Sequence, residues 1–388
     1  MATSNRPATV LAVVGDVAVL AVFAVICAAH LVFGAEHGHE GGLRESRRLA
    51  EPPPAPADLA GLPGWIRGYE KWFDDHFAFR PRLQELEAAL RMRVFGVSPS
   101  EQVVVGEDGW LYFTQNGILA DRRGEVVMSE ALLESWRLEL EARQRLLAGM
   151  GVPYVFAVAP NKVTIHPEHL PPRERAVSGR PTRLDQLVAH LAATSSFRLL
   201  DGRPPLREAA RTAQVYHATD SHWNELGAFP FYQELVRALQ RQGLAIEPLT
   251  RDHFTPARYP VVGDLGRIAP WLRTPPEQGW FMTARAAHPA SRVELPFDHT
   301  ALPTSWQVWE PPVMQACDQG EGVLLFVGDS FQWPMIPWLA RHFRASVFLS
   351  VAVTDLGVLR EIVTVVKPTV VIEQRVERNL VHAPTTPR

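Results

Sequence analysis

Two short segments about a hundred residues apart hold the groups that covalent acyl transfer requires. One is Thr219-Asp220-Ser221-His222-Trp223; the other is Gly328-Asp329-Ser330-Phe331, which follows the apolar run Gly322 to Val327. A serine hydroxyl is a weak nucleophile until an imidazole takes its proton and a carboxylate fixes the tautomer of that imidazole. Asp220 and His222 lie two positions apart, so an extended loop turns both side chains to one side of the backbone. Trp223 is then placed to wall the pocket. Ser330, His222 and Asp220 are therefore the candidate triad. The competing readings are structural: Ser330 as a helix cap, Asp220 as an N-cap, and His222 as a packed loop histidine.

The elements that must position these groups alternate between helical and extended patterns. Helical spacing runs from Tyr69 to Val94 with a break at Pro81, and marks helices over Ser129 to Met150, Leu184 to Ala193 and Ala228 to Arg241. Val103 to Phe113 reads as a hairpin with Asp108-Gly109 at its turn. Strands are expected at Val152 to Val158, Phe197 to Leu200, Val323 to Val327, Val347 to Val351 and Thr369 to Ile372, with helices at Pro334 to Phe343 and Leu356 to Val365. Such alternation predicts a parallel sheet covered on both faces, with its site outside the carboxyl ends of the strands. Gly328-Asp329-Ser330 stands at such an end. There the glycine permits a sharp turn, and a helix N-terminus offers N–H donors to an oxyanion.

Composition narrows the classes. The chain has 388 residues, 46% of them hydrophobic, and a net charge of −3, which leaves no basic footprint for nucleic acid. Its two cysteines, Cys27 and Cys317, give no disulfide framework. The high Trp and Pro content suggests long aromatic-lined loops of the kind that accept sugars. Asp16 is the only formal charge between Pro7 and Ala35, a stretch long enough for a bilayer span. Arg6 precedes it, and Glu36 and Glu40 follow, which places the N-terminus in the cytoplasm and the body outside. The expected organisation is a cytoplasmic tip and transmembrane anchor over 1–35, a Pro-rich tether over 36–64 and one catalytic domain over 65–388. His37 and His39 in the tether lack a third metal ligand nearby, and no cofactor is expected.

In chain order, Val105-Gly106-Glu107-Asp108-Gly109-Trp110-Leu111-Tyr112, Pro160-Asn161-Lys162, Asp220-Ser221-His222-Trp223-Asn224, Gly263-Asp264-Leu265 and Gly328-Asp329-Ser330-Phe331 form an ordered set. This set resembles the periplasmic alginate O-acetyltransferases of the AlgJ/AlgX type, over roughly residues 65–380. Their core is an SGNH-hydrolase-like α/β domain, related to the flavodoxin-like folds. The Asp-His pair precedes the serine in that family, the reverse of ordinary SGNH esterases, and the order here is the same. The resemblance implies transfer of an acetyl group onto hydroxyls of an exported polysaccharide. Ser330 would carry the acetyl group, His222 would move the proton, and Asp220 would orient the imidazole. The Ser330 N–H and the loop of Asn161 and Lys162 are the oxyanion candidates, Lys162 being alternatively a structural partner of a carboxylate. Arg375 and Arg378 are placed to contact a uronate-rich chain, or are simply solvated. No carbohydrate-binding module is expected after Leu380.

The expected setting is a bacterial inner membrane, with a single-pass anchor and a periplasmic catalytic domain. A multispanning membrane acyltransferase would supply the acetyl group, since acetyl-CoA is confined to the cytoplasm and the chain has no nucleotide-binding loop. Two other functions use the same residues. An acetyl esterase would differ only in accepting water, and a non-catalytic component of an export complex would keep the fold without the chemistry.

Overall fold

Alternation along three central strands decides the architecture. In β3 (Tyr154–Ala159), Tyr154, Phe156 and Val158 join one apolar cluster while Val155, Ala157 and Ala159 join another. β9 (Val323–Gly328) divides in the same way, with Leu325 and Val327 on one face and Leu324 and Phe326 on the other. β11 (Val370–Val376) sends Val371 to the first face and Val370 and Ile372 to the second. A strand buried on both faces needs helices on both, and the chain supplies them. The helix Glu225–Arg241 packs on one face; Glu130–Ala148, Arg183–Thr194 and Leu356–Val366 pack on the other.

The computed structural model describes residues 49–77, 79–95, 98–269, 272, 274–285, 289–294, 308–351 and 356–383, together with 17, 20, 21 and 25. The chain divides into two compact units, residues 1–100 with 266–273 and residues 101–265 with 274–388. The larger unit holds a seven-stranded sheet in the order β4-β3-β11-β9-β10-β8-β7. Here β4 is Leu200–Asp201, β7 Ala290–Val293, β8 Val308–Cys317 and β10 Ala345–Val351. The five strands from β4 to β10 are parallel to their neighbours, whereas β8 runs antiparallel to β10 and β7 antiparallel to β8. The sheet is thus mixed, not wholly parallel as expected. The antiparallel pair escaped the sequence reading because the β7 side chains are half-buried or exposed and leave no apolar run.

Two further ribbons complete this unit. β1 (Val103–Val105) pairs with β2 (Leu111–Phe113), and Asp108 and Gly109 both take positive φ at the turn. β5 (Phe254–Val261) pairs antiparallel with β6 (Glu277–Ala284), a ribbon the sequence did not reveal.

The smaller unit contains the helices Leu62–His76, which ends at the extended Phe77, and Arg80–Phe95, with Pro81 in its first turn. Its proline-rich stretch is less free than a tether. Ala50 N–H donates to Asp75 Oδ2 at 2.7 Å, and a Cβ on Gly68 would stand 2.9 Å from Pro53 Cβ. Leu83, Leu86 and Leu90 are exposed there rather than forming a core stripe. No helix among the described residues is long and apolar enough to cross a membrane. The expected anchor lies, but for residues 17, 20, 21 and 25, outside the described residues, as do Cys27, His37 and His39.

Candidate active site

The serine is set by the end of β9. Asp329 caps the 3-10 helix Ser330–Met335, its Oδ1 accepting from Phe331 N–H at 3.1 Å and from Gln374 Nε2 at 3.0 Å. Its Oδ2 accepts from Val376 N–H at 2.6 Å and Asn379 Nδ2 at 3.4 Å. One buried carboxylate therefore pins the Ser330 turn to the end of β11, two strands that lie side by side. The expected helix after the serine is a 3-10 turn that passes into the short helix Ile336–Leu339.

The histidine loop is held from three sides. Glu277, at the start of β6, accepts from the N–H of Ala218 through Oε2 and from the N–H of Thr219 through Oε1, each at 2.7 Å. Lys162 Nζ donates to the carbonyls of Leu111 and Ala218 at 2.7 Å and of Asp220 at 3.0 Å. Three carbonyl acceptors match the three N–H of an ammonium, and the rings of Trp110 and Tyr112 lie 4.8 and 5.1 Å from Nζ. Burial pulls the Lys162 pKa down to about 7, against the opposing charges of Glu277, Asp220 and Asp264. Asn224 closes the loop, its side chain capping the helix Glu225–Arg241 by accepting from Leu226 and Gly227.

These constraints bring together residues far apart in sequence. His222 Nε2 lies 2.7 Å from Ser330 Oγ across a separation of 108 residues, and His222 Nδ1 lies 2.6 Å from Asp220 Oδ1. The proton at Nδ1 is thereby assigned to the Asp220 side, leaving Nε2 free to accept from the hydroxyl. Burial opposes charge on His222, but the hydrogen bond and charge of Asp220, joined by Asp264, raise its pKa above the ordinary imidazole value. Burial by itself would raise the Asp220 pKa; the hydrogen bond and charge of His222 hold it well below the usual carboxylate range. The His222 side chain remains 28% exposed.

Asp264 was not given a role by the sequence reading, although it falls within the ordered motif set. Its Oδ1 accepts from Ser221 N–H at 2.7 Å and its Oδ2 from Ser221 Oγ at 2.6 Å. Its own N–H donates to Asp220 Oδ2 at 2.9 Å, and its Oδ2 stands 3.6 Å from His222 Nδ1. Burial and the neighbouring Asp220 push the Asp264 pKa up. Asp220, His222 and Asp264 offer donor atoms close enough for a metal ion. The short Asp220–His222 hydrogen bond already uses the imidazole nitrogen that such an ion would need, so proton transfer is the better reading of the cluster.

The other expected contacts fall differently. Lys162 directs its N–H groups at three backbone carbonyls, and among the described residues no carboxylate pairs with it. Trp223 does not wall a pocket: it is 1% exposed, packs on Phe231 and Phe331, and donates Nε1–H to the Phe331 carbonyl at 3.1 Å. It ties the histidine loop to the serine turn from within the core. Arg375 is buried and its Nη2 pairs with Glu373 at 2.9 Å, so it meets neither solvent nor polymer. Asn161 is buried beside the end of β3; its N–H donates to Glu377, and its Oδ1 has no partner among the described residues.

Comparison with known proteins gives the family and the fold. Residues 103–303 match the family described as SGNH hydrolase-like domain, acetyltransferase AlgX. The "Probable alginate O-acetylase AlgJ" of Pseudomonas syringae is 32% identical over 187 residues, 47% of this chain and 45% of that one. Its counterpart in Pseudomonas aeruginosa is 33% identical over 196 residues, 50% of this chain and 47% of that one. The chain thus spans about half the length of the curated relatives it matches. Among solved structures, Bacillus cereus PatB1 with a sulfonyl adduct superposes with a TM-score of 0.51 at 15% identity, covering 72% of this chain and 95% of that one. That likeness concerns the fold.

Proposed function

The chain belongs to the SGNH hydrolase-like acetyltransferase family described by AlgX, and on that premise we propose that it is an O-acetyltransferase acting on hydroxyls of an exported polysaccharide. The observation that carries this reading is the continuous contact Ser330 Oγ, His222 Nε2, His222 Nδ1, Asp220 Oδ1, with steps of 2.7 and 2.6 Å. In the first half-reaction Ser330 gives its proton to His222 Nε2 and attacks the carbonyl carbon of an acetyl ester or thioester. The donor's alkoxide or thiolate leaves with that proton, and Ser330 holds the acetyl group as an ester. In the second, a sugar hydroxyl gives its proton to His222 and attacks the same carbon, and Ser330 Oγ departs and regains the proton. Asp220 stays ionised throughout and stabilises the imidazolium. The Ser330 N–H and the Asn161 amide are the proposed oxyanion donors.

The curated relatives are named for alginate, and a related anionic or neutral polymer is the proposed acceptor class here. A multispanning membrane acyltransferase as donor, a single-pass inner-membrane anchor and a periplasmic body complete the proposal. Incubation of the full-length protein with a chromogenic acetyl ester, with and without oligosaccharides, tests it. The expected result is release of chromophore accelerated by oligosaccharide, acetylated sugar as product, labelling of Ser330 by a serine-directed sulfonylating reagent, and loss of all three in Ser330→Ala. Chromophore release with no acetylated sugar would make the protein an esterase, and full activity in Ser330→Ala would sink the triad.

A further inference from the structure

Two carboxylates face the ring of His222, and the acyl-transfer steps above use only one of them. Asp220 Oδ1 holds Nδ1 at 2.6 Å, and Asp264 Oδ2 stands 3.6 Å from the same nitrogen. Asp264 comes from outside the histidine loop. A Cβ on Gly263 would strike the Thr219 carbonyl, so the chain that follows β5 runs directly against the loop backbone. Ser221, between Asp220 and His222 in sequence, fixes the second carboxylate. Its N–H donates to Asp264 Oδ1 at 2.7 Å and its hydroxyl to Oδ2 at 2.6 Å, and that hydroxyl oxygen lies 3.4 Å from His222 Nδ1. Two ionised carboxylates this close repel one another, and burial together with Asp220 raises the Asp264 pKa. The repulsion is relieved when a positive charge forms beside both, as it does when His222 takes the Ser330 proton. A residue needed only to clasp Ser221 would serve nearly as well uncharged.

We infer that Asp264 is a positioning residue of the reaction that acts through His222: its charge, locked in place by Ser221, makes the imidazole a stronger base toward Ser330. The inference rests on the acyl-transfer reading of Ser330 and deepens it by assigning a second carboxylate to the proton relay. No proton passes to Asp264. The proton moves from Ser330 Oγ to His222 Nε2, and Asp264 stabilises the resulting imidazolium alongside Asp220. A fixed charge that favours the ring only once it is protonated lowers the barrier rather than merely the ground state. Arg378 opposes the effect by disfavouring charge on His222. Lys162, Glu277 and His217 are the other charged or titratable groups around the loop among the described residues.

The His222 pKa and the rate test this separately. In the Ser330→Ala background, NMR titration of His222 reads its pKa without chemistry. Asp264→Asn there should lower that pKa by about one unit or more, the effect of removing an opposite charge at this range. In the active protein the same substitution should carry the midpoint of the kcat–pH profile down by a similar amount and lower the plateau about tenfold, with KM for the acceptor little changed. Asp264→Glu keeps the charge, so its midpoint should stay near wild type even where its longer side chain lowers kcat. Asp264→Ser gives the uncharged reading if the amide fails to fold. An unchanged His222 pKa in the uncharged variants overturns the inference, as does a loss of kcat with the midpoint in place, or a midpoint in Asp264→Glu as low as in Asp264→Asn. Failure of the acyl-transfer reading would appear instead as absent turnover with the difference in His222 pKa intact.

Discussion

The N–H of Asp264 donates to Oδ2 of Asp220 at 2.9 Å while the other oxygen of that carboxylate, Oδ1, holds His222 Nδ1 at 2.6 Å. Asp220 is therefore oriented from both ends, one oxygen fixed by backbone and the other facing the imidazole. A carboxylate on a loop would otherwise rotate. The second contact comes from a segment 44 residues away, so the catalytic geometry depends on chain that carries no reacting group.

Asp220→Asn should lower kcat on the order of 10⁴-fold, because the amide leaves the imidazole without its orienting charge. The pH profile gives a separate check. His222 has a raised pKa and must be neutral to accept the serine proton, so activity should climb with pH through a midpoint above about 6.5. In Asp220→Asn that midpoint should move down. The sign for stability is opposite: the charged His222–Asp220 pair stabilises the fold fully below about pH 6.5, and that contribution is lost as pH rises through the folded-state pKa. A rate flat between about pH 5 and 8 would remove His222 from the mechanism.

Gly263→Ala should cost both stability and activity. A Cβ at Gly263 would stand 2.0 Å from the Thr219 carbonyl oxygen and 2.6 Å from Asp220 N, so the two backbones must separate. Overpacking of this kind costs about 2–3 kcal/mol, and the displaced strand of loop is the one that bears Asp220. Denaturant midpoints and kcat measured on the same variant check this; wild-type kcat at unchanged stability would show that the loop does not need the close approach.

Lys162→Met should destabilise by about 2–4 kcal/mol, since it strips a buried donor from the carbonyls of Leu111, Ala218 and Asp220. Its kcat should fall with the loosened loop, while sulfonyl labelling of Ser330, which is fixed independently by Asp329, should persist at a reduced rate. A stable variant with lost activity would return Lys162 to the oxyanion.

The sequence by itself determined the elements whose signal is local. Strand alternation, helical spacing and the Asp108-Gly109 turn depend only on near neighbours, and the main strands and helices fall within a few residues of their expected places. Asp220 and His222 were legible as a pair because two positions of extended chain suffice to align them. Ser330 stood out because an apolar strand ends just before it.

Only the tertiary structure decided what meets what. Lys162 reads in sequence as an oxyanion donor or as the structural partner of a carboxylate, but the fold surrounds it with three carbonyls; Arg375 reads as exposed, but lies on a strand buried on both faces. Trp223 went to the core because the helix that follows it packs on the sheet. Arg378, three residues beyond Arg375, emerges on the serine's side of the sheet because the chain leaves β11 after Val376. Asp264 and Glu277 acquire their roles from long-range hydrogen bonds to the backbone of residues 218–221, and a bond to a backbone group leaves no complementary side chain in the sequence to betray it.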